Sequence, residues 1–137
     1  MQQQLRNIFH WVVRLIAAVI MLQTLYFKFT AAEESVYIFT QMGIEPWGRY
    51  ATGIAELIAA LLILYKPATA VGAFLGLGIM SGAILSHLFV LGIEVQNDGG
   101  LLFSYAMIVW VACIILLWLS RYQVLSFISK MLNRRPA

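Results

Sequence analysis

Tyr50-Ala-Thr-Gly-Ile-Ala-Glu-Leu-Ile-Ala-Ala-Leu-Leu-Ile-Leu-Tyr65 is an unbroken apolar stretch apart from one carboxylate, Glu56. As a helix its 16 residues reach about 24 Å at 1.5 Å per residue. That falls a little short of the ~30 Å hydrocarbon layer, so the segment is expected to tilt little or to begin earlier, near Trp47. A carboxylate at such a depth costs about 3 kcal/mol or more unless it is paired, protonated or hydrated. Glu56 therefore needs a partner or a task.

The same apolar character extends along the chain. Of 137 residues, 62% are hydrophobic and only 11% charged, and the mean hydropathy is +0.86. Ordinary soluble domains carry charge on about a quarter of their residues. So much apolar surface in so short a chain points to an integral membrane protein of the all-α class whose first partner is the lipid bilayer. The spans are expected near residues 8–27, 50–65, 68–91 and 101–119. The whole chain reads as a single four-span membrane domain, followed by a basic amphipathic tail over residues 121–135. There Leu125, Ile128 and Leu132 recur among basic residues and would lie at the interface against anionic lipid.

The net charge of +3 is not a nucleic-acid signal, because the cations flank the apolar segments and act as topology determinants. Arg6, Lys66, Arg121, Lys130, Arg134 and Arg135 fall on one side of a four-span protein. The opposite loops hold Glu33, Glu34, Glu45, Glu94 and Asp98 against only Lys28 and Arg49. Both termini are therefore expected to be cytoplasmic. Arg14 and Lys28 interrupt what could otherwise resemble a cleavable leader, so the first span is expected to be retained. In the first outer loop, Val36, Phe39 and Met42 recur at helical spacing before Gly43, which predicts a short interfacial helix. Pro46 and Pro67 each precede a span, and Pro136 lies beyond the last.

Gly72 and Gly76, then Gly78, Gly82 and Ser86, place small residues four apart in the third span, and Ala51, Ala55 and Ala59 do so in the second. Such stripes let backbones approach where lipid removes the hydrophobic drive, so these two spans are expected to pack tightly, although glycines can also line a ligand path.

Up-and-down threading brings Lys28, Glu56 and His87 to the outer third of the bilayer, with Glu56 about 9 Å below the boundary. Acid, imidazole and ammonium at one depth suit a proton-handling pocket, with Glu56 and His87 as the exchanging pair and Lys28, Arg14 and Gln23 as its lining. A Lys28–Glu56 ion pair that only fixes the bundle uses the same residues. Arg14 lies nearer the inner side, within about 40° of the face of Lys28. It would either snorkel inward or anchor an acidic lipid or quinone head group.

His10 and His87 fall toward opposite membrane faces and cannot share one haem iron, and no three-ligand metal motif is present. The single Cys113 leaves no intramolecular disulfide and no CxxC relay.

Three pieces, taken in order, resemble the DoxX and DoxX-like family of small four-helix bacterial membrane proteins. These are Arg14 with the run into Phe27-Lys28-Phe29; Met42-Gly43-Ile44-Glu45-Pro46 followed by Gly53-Ile-Ala-Glu56-Leu-Ile-Ala-Ala-Leu-Leu; and Ala83-Ile-Leu-Ser-His87-Leu. The resemblance covers roughly residues 10–120 and implies a multi-pass protein of the bacterial cytoplasmic (inner) membrane, built as a four-helix bundle. It also implies a link to redox chemistry, since founding relatives resemble a subunit of a thiosulfate:quinone oxidoreductase. The first functional expectation is thus a membrane subunit of a quinone-linked oxidoreductase. With no catalytic or electron-carrying motif of its own, it would work beside another membrane or periplasmic subunit. A non-enzymatic accessory or assembly subunit is the alternative. A small transporter or lipid-binding protein is the third reading, and it would require a homo-oligomer to enclose a path.

Overall fold

A computed structural model describes residues 1–134 and is helical throughout, with no strand among the described residues. Arg135 and Pro136, read above with the tail, lie outside the described residues. Four segments are long and apolar enough to cross a bilayer: Gln2–Phe29, Trp47–Leu64, Lys66–Leu91 and Leu101–Leu119. We name the helices α1 (Gln2–Phe29), α2 (Glu33–Gln41), α3 (Trp47–Leu64), α4 (Thr69–Ser86), α5 (Leu101–Leu119) and α6 (Arg121–Leu132). A 3-10 turn, Lys66–Ala68, leads into α4, and a π-helical turn, His87–Leu91, prolongs it.

The chain runs up and down, and its spans form a closed ring in which α1 contacts α3 and α5, and α4 contacts the same two. One end of the bundle, the loop end, carries α2 and the 92–100 segment. The other, the termini end, carries both chain ends and the Lys66–Ala68 turn. With 28 residues, α1 measures about 42 Å and exceeds the hydrocarbon thickness. Its surplus is the polar first turns, Gln2 to Asn7. At the loop end α2 forms the short helix expected there, with Ser35 and Phe39 buried. At the other end α6 is a separate helix with no buried residue. Leu125, Phe127 and Leu132 are exposed on it.

The dry core occupies the termini half, where Ala17, Ala18, Met21, Ala59, Ala60, Ile63, Ala73, Val109, Cys113 and Leu116 are fully buried. Small residues permit this closeness: a Cβ added at Gly72 would stand 2.6 Å from the Ile63 amide nitrogen and 2.8 Å from the Ala59 carbonyl oxygen. At Gly76 it would meet Cys113 Sγ at 2.9 Å. Gly78 and Gly82 differ, because nothing lies within 4 Å of a Cβ added at either. The stripe that predicts tight packing along the whole of α3 and α4 is therefore packed in one half and open in the other.

Two arginines tie α1 to α3 reciprocally. Arg14 of α1, fully buried, donates from Nε to the Ile63 carbonyl at 2.7 Å and from Nη2 to the Leu64 carbonyl. These are the last carbonyls of α3, which have no partner within their own helix. At the opposite end Arg49, in the first turn of α3, donates from Nη1 to the Lys28 carbonyl near the end of α1. Glu45 holds Arg49 in place by a two-pronged contact of 2.9 and 3.1 Å from Nε and an ion pair of 2.8 Å. Each cation also faces the negative end of the helix it caps.

Candidate functional site

The loop half of the bundle encloses a cavity of about 660 Å³ with contributions from α1 to α5. Its walls are mainly apolar, including Ile20, Phe27, Ile79 and Ala106, and α2 covers its loop end with Ile38, Phe39 and Met42. Set into these walls are Gln23, Thr24, Lys28, Glu34, Glu56, His87, Asp98 and Tyr105.

Glu56 is the most enclosed carboxylate of this group, with 4% of its surface exposed. Its Oε2 accepts from Lys28 Nζ at 3.0 Å and from Thr24 Oγ1 at 3.0 Å. Lys28 and Thr24 stand four apart on α1 and so share a face. Thr24 Oγ1 also lies 2.8 Å from the Met21 carbonyl, one turn back. Both donors to Glu56 converge on one oxygen. No donor among the described residues reaches Oε1.

His87 enters the cavity from the π-helical turn and is 5% exposed. Gly92 locks it from two directions: the Gly92 amide donates to the His87 carbonyl at 2.8 Å, and His87 Nδ1 lies 2.8 Å from the Gly92 carbonyl oxygen. A carbonyl only accepts, so Nδ1 carries the hydrogen and Nε2 presents a lone pair when the ring is neutral. Gly92 adopts φ +82°, in the left-handed region open to glycine. Phe103 meets the imidazole edge-to-face, with ring centres 5.6 Å apart. No partner for Nε2 occurs among the described residues, and His87 makes no hydrogen bond to Glu56.

Two acids from the loops complete the site. Asp98 caps the start of α5, accepting from the amides of Val95 at 3.0 Å, Gly100 at 2.8 Å and Leu102 at 3.1 Å. Burial would push its carboxyl up, but those three hydrogen bonds and the nearby His87 outweigh it, and its pKa lies below the usual 3.8. Glu34 of α2 moves the other way, raised above 4.5 first by burial and then by the Asp98 charge.

The residues singled out in the sequence thus divide. Lys28, Glu56, His87 and Gln23 line one cavity, with an ion pair between the first two. Arg14 stands apart, at the termini end, stacked over Trp11 at 3.9 Å and engaged with the end of α3. It neither snorkels nor reaches the cavity, because its hydrogen bonds to the end carbonyls of Ile63 and Leu64 hold the guanidinium inside the bundle. Thr24, Glu34 and Asp98 belong to the cavity although nothing in their spacing announces it. Among the described residues no group of three His, Cys, Asp or Glu side chains could hold a metal ion.

The model of the DoxX-like family matches residues 12–120, most of the chain and every element that lines the cavity. The chain belongs to the DoxX-like family. This DoxX-like protein is accordingly a small multi-pass membrane protein built as a four-helix bundle. A search of curated proteins and one of solved structures each returned no match.

Proposed function

We propose that the loop-end cavity receives the head group of a quinone and that the protein serves as the membrane subunit of a quinone-linked oxidoreductase. In this reading it sits in a bacterial cytoplasmic membrane with the loop end outward. One observation carries the proposal: a mainly apolar cavity of about 660 Å³ brings the Lys28–Glu56 pair and the lone pair of His87 onto its walls. An apolar enclosure with a few convergent polar groups is the usual form of a small-molecule site. Quinone chemistry couples two electrons to two protons, and a partner subunit supplies or removes the electrons. The chain's own residues handle the protons. Glu56 Oε1 and His87 Nε2, which meet no donor among the described residues, take up the protons as a quinol is oxidised and return them as a quinone is reduced, while Lys28 holds the carboxylate in place and balances its charge.

The test is thermal unfolding of the purified full chain in detergent with decylubiquinone. The quinone is expected to raise the Tm of the wild type, and Glu56→Gln, which keeps the shape and removes the charge, is expected to lose most of that rise. No shift in the wild type at any quinone concentration would overturn the reading. A copurifying integral membrane subunit, retained in Glu56→Gln and combined with no quinone effect, would favour the accessory-subunit alternative.

A further inference from the structure

The cavity is not confined to the inside of the bundle. On α4 its lining begins at Met80, buried on the core side, and continues round to Gly78 and Gly82, both exposed. At about 100° per residue, Gly78 and Gly82 lie within about 20° of Val71, whereas Met80 lies on the opposite side of the helix. Val71 is 63% exposed and belongs to the apolar face of α4 that meets lipid. On α3 the lining likewise runs from buried Glu56 to exposed Ala51, about 140° round the helix. A closed chamber would touch only the core faces of these helices. This one emerges between them.

The small residues explain why the gap stays open. Toward the termini end the same two helices touch at Gly72, where a Cβ has no room. Toward the loop end Ala51 and Ala55 of α3 and Gly78 and Gly82 of α4 line the same cavity, and nothing lies within 4 Å of a Cβ added at either glycine. At the inner end of the gap waits His87, 95% buried by its 5% exposure, lining the cavity with Nε2 unpartnered among the described residues.

From this continuity we infer that the α3–α4 gap is a lateral portal, through which a single-tailed amphiphile slides from the bilayer and leaves its tail between Ala51, Ala55, Gly78 and Gly82. Its compact head comes to rest beside Glu56 and His87, where a quinol hydroxyl donates to Nε2 and a quinone carbonyl accepts from it once the ring is protonated. The inference rests on the reading of the cavity as a binding site, and it adds the route and the requirement for one narrow apolar tail. α2 covers the loop end, so the membrane side is the open one.

The test narrows the portal without harming the fold. Gly82→Leu places its side chain in open space and replaces a glycine by a better helix former. Its Tm should match or exceed that of the wild type, while decylubiquinone should bind about tenfold more weakly, equivalent to about 1.4 kcal/mol. A second arm needs no quinone. A spin label at Ala55→Cys in lipid nanodiscs, with Cys113→Ala, should collide with dissolved oxygen as readily as one at lipid-facing Ile58→Cys, and Gly82→Leu should suppress those collisions. Oxygen access that Gly82→Leu closes, together with no decylubiquinone binding in the wild type, would support the portal and end the quinone reading. Quinone binding and oxygen access both unchanged by Gly82→Leu would overturn the portal and leave the quinone reading intact.

Discussion

Glu56 is the most buried carboxylate in the cavity, and Lys28 and Thr24 offset the cost of its burial through a single oxygen. Removing one member of a fully buried ion pair costs about 3–5 kcal/mol, because the survivor stays charged and unpaired. Here the Lys28 side chain keeps 14% exposure and can swing toward the head groups, so Glu56→Ala is expected to cost about 2 kcal/mol, less than the fully buried case. Removing Lys28 as well should restore part of that loss, with a coupling of about 1 kcal/mol in a double-mutant cycle read by unfolding in detergent. Strictly additive losses would show that the 3.0 Å contact contributes nothing to stability. This pair was legible in the sequence, since charges inside apolar runs have few places to go. Thr24 was not, because a threonine in a membrane helix ordinarily bonds back to its own preceding turn, and the Met21 carbonyl stands 2.8 Å from Thr24 Oγ1 as the competing acceptor.

At the scale of helices, α1 and α3 are joined by arginine caps placed at opposite ends, and α3 and α4 by a seam that closes only halfway. Arg14 and Lys28 were correctly placed on one face of α1 by helical spacing, and both do point at α3. What spacing could not convey is that Arg14 meets the carbonyl end of α3 and Lys28 its middle, since that depends on how far the two helices overlap. Arg49 was legible only as a loop cation, because its cap on α1 spans 21 residues of sequence. The seam carries a direct prediction. Gly72→Ala forces a methyl group against the backbone of Ile63 and Ala59, neither of which can rotate away, so the helices must separate. The expected cost is about 1–3 kcal/mol, more than the helix-propensity gain of about 1 kcal/mol. Gly82→Ala meets no atom within 4 Å and should keep that gain. The Tm of the two variants should therefore move in opposite directions, and a parallel shift would show that the helices do not splay. One repeating pattern of small residues has two outcomes here, which is why the sequence alone could not separate seam from portal.

For the molecule as a whole, a tightly packed termini half supports a hollow loop half, and the charges of that loop half make stability depend on pH. Fold class, span number and the short α2 helix were readable because lipid thickness and helical periodicity determine them. The loop-half electrostatics were not, because Glu34 and Asp98 approach each other only once α2 folds over the cavity. Asp98 has a lowered pKa, so between that value and its ordinary 3.8 the unfolded chain holds more protons. Its contribution is fully present above 3.8 and is lost as pH falls through the folded value. Glu34 has a raised pKa, so between its ordinary 4.5 and the folded value the native protein holds more protons, and stability declines as pH rises through that window. The contributions of these two groups are therefore both present between 3.8 and 4.5, and each is lost on its own side of that window. Glu34→Gln should flatten the decline above 4.5 and leave the acid limb alone. Asp98→Asn should weaken the start of α5 at neutral pH, since an amide has one acceptor oxygen where the carboxylate uses two, and should flatten the acid limb. Unfolding of the three proteins from pH 3 to 8 at constant salt checks both limbs, and a Glu34→Gln profile identical to the wild type would refute the placement of that α2 carboxylate at the cavity wall near Asp98, where its neutral form is favoured.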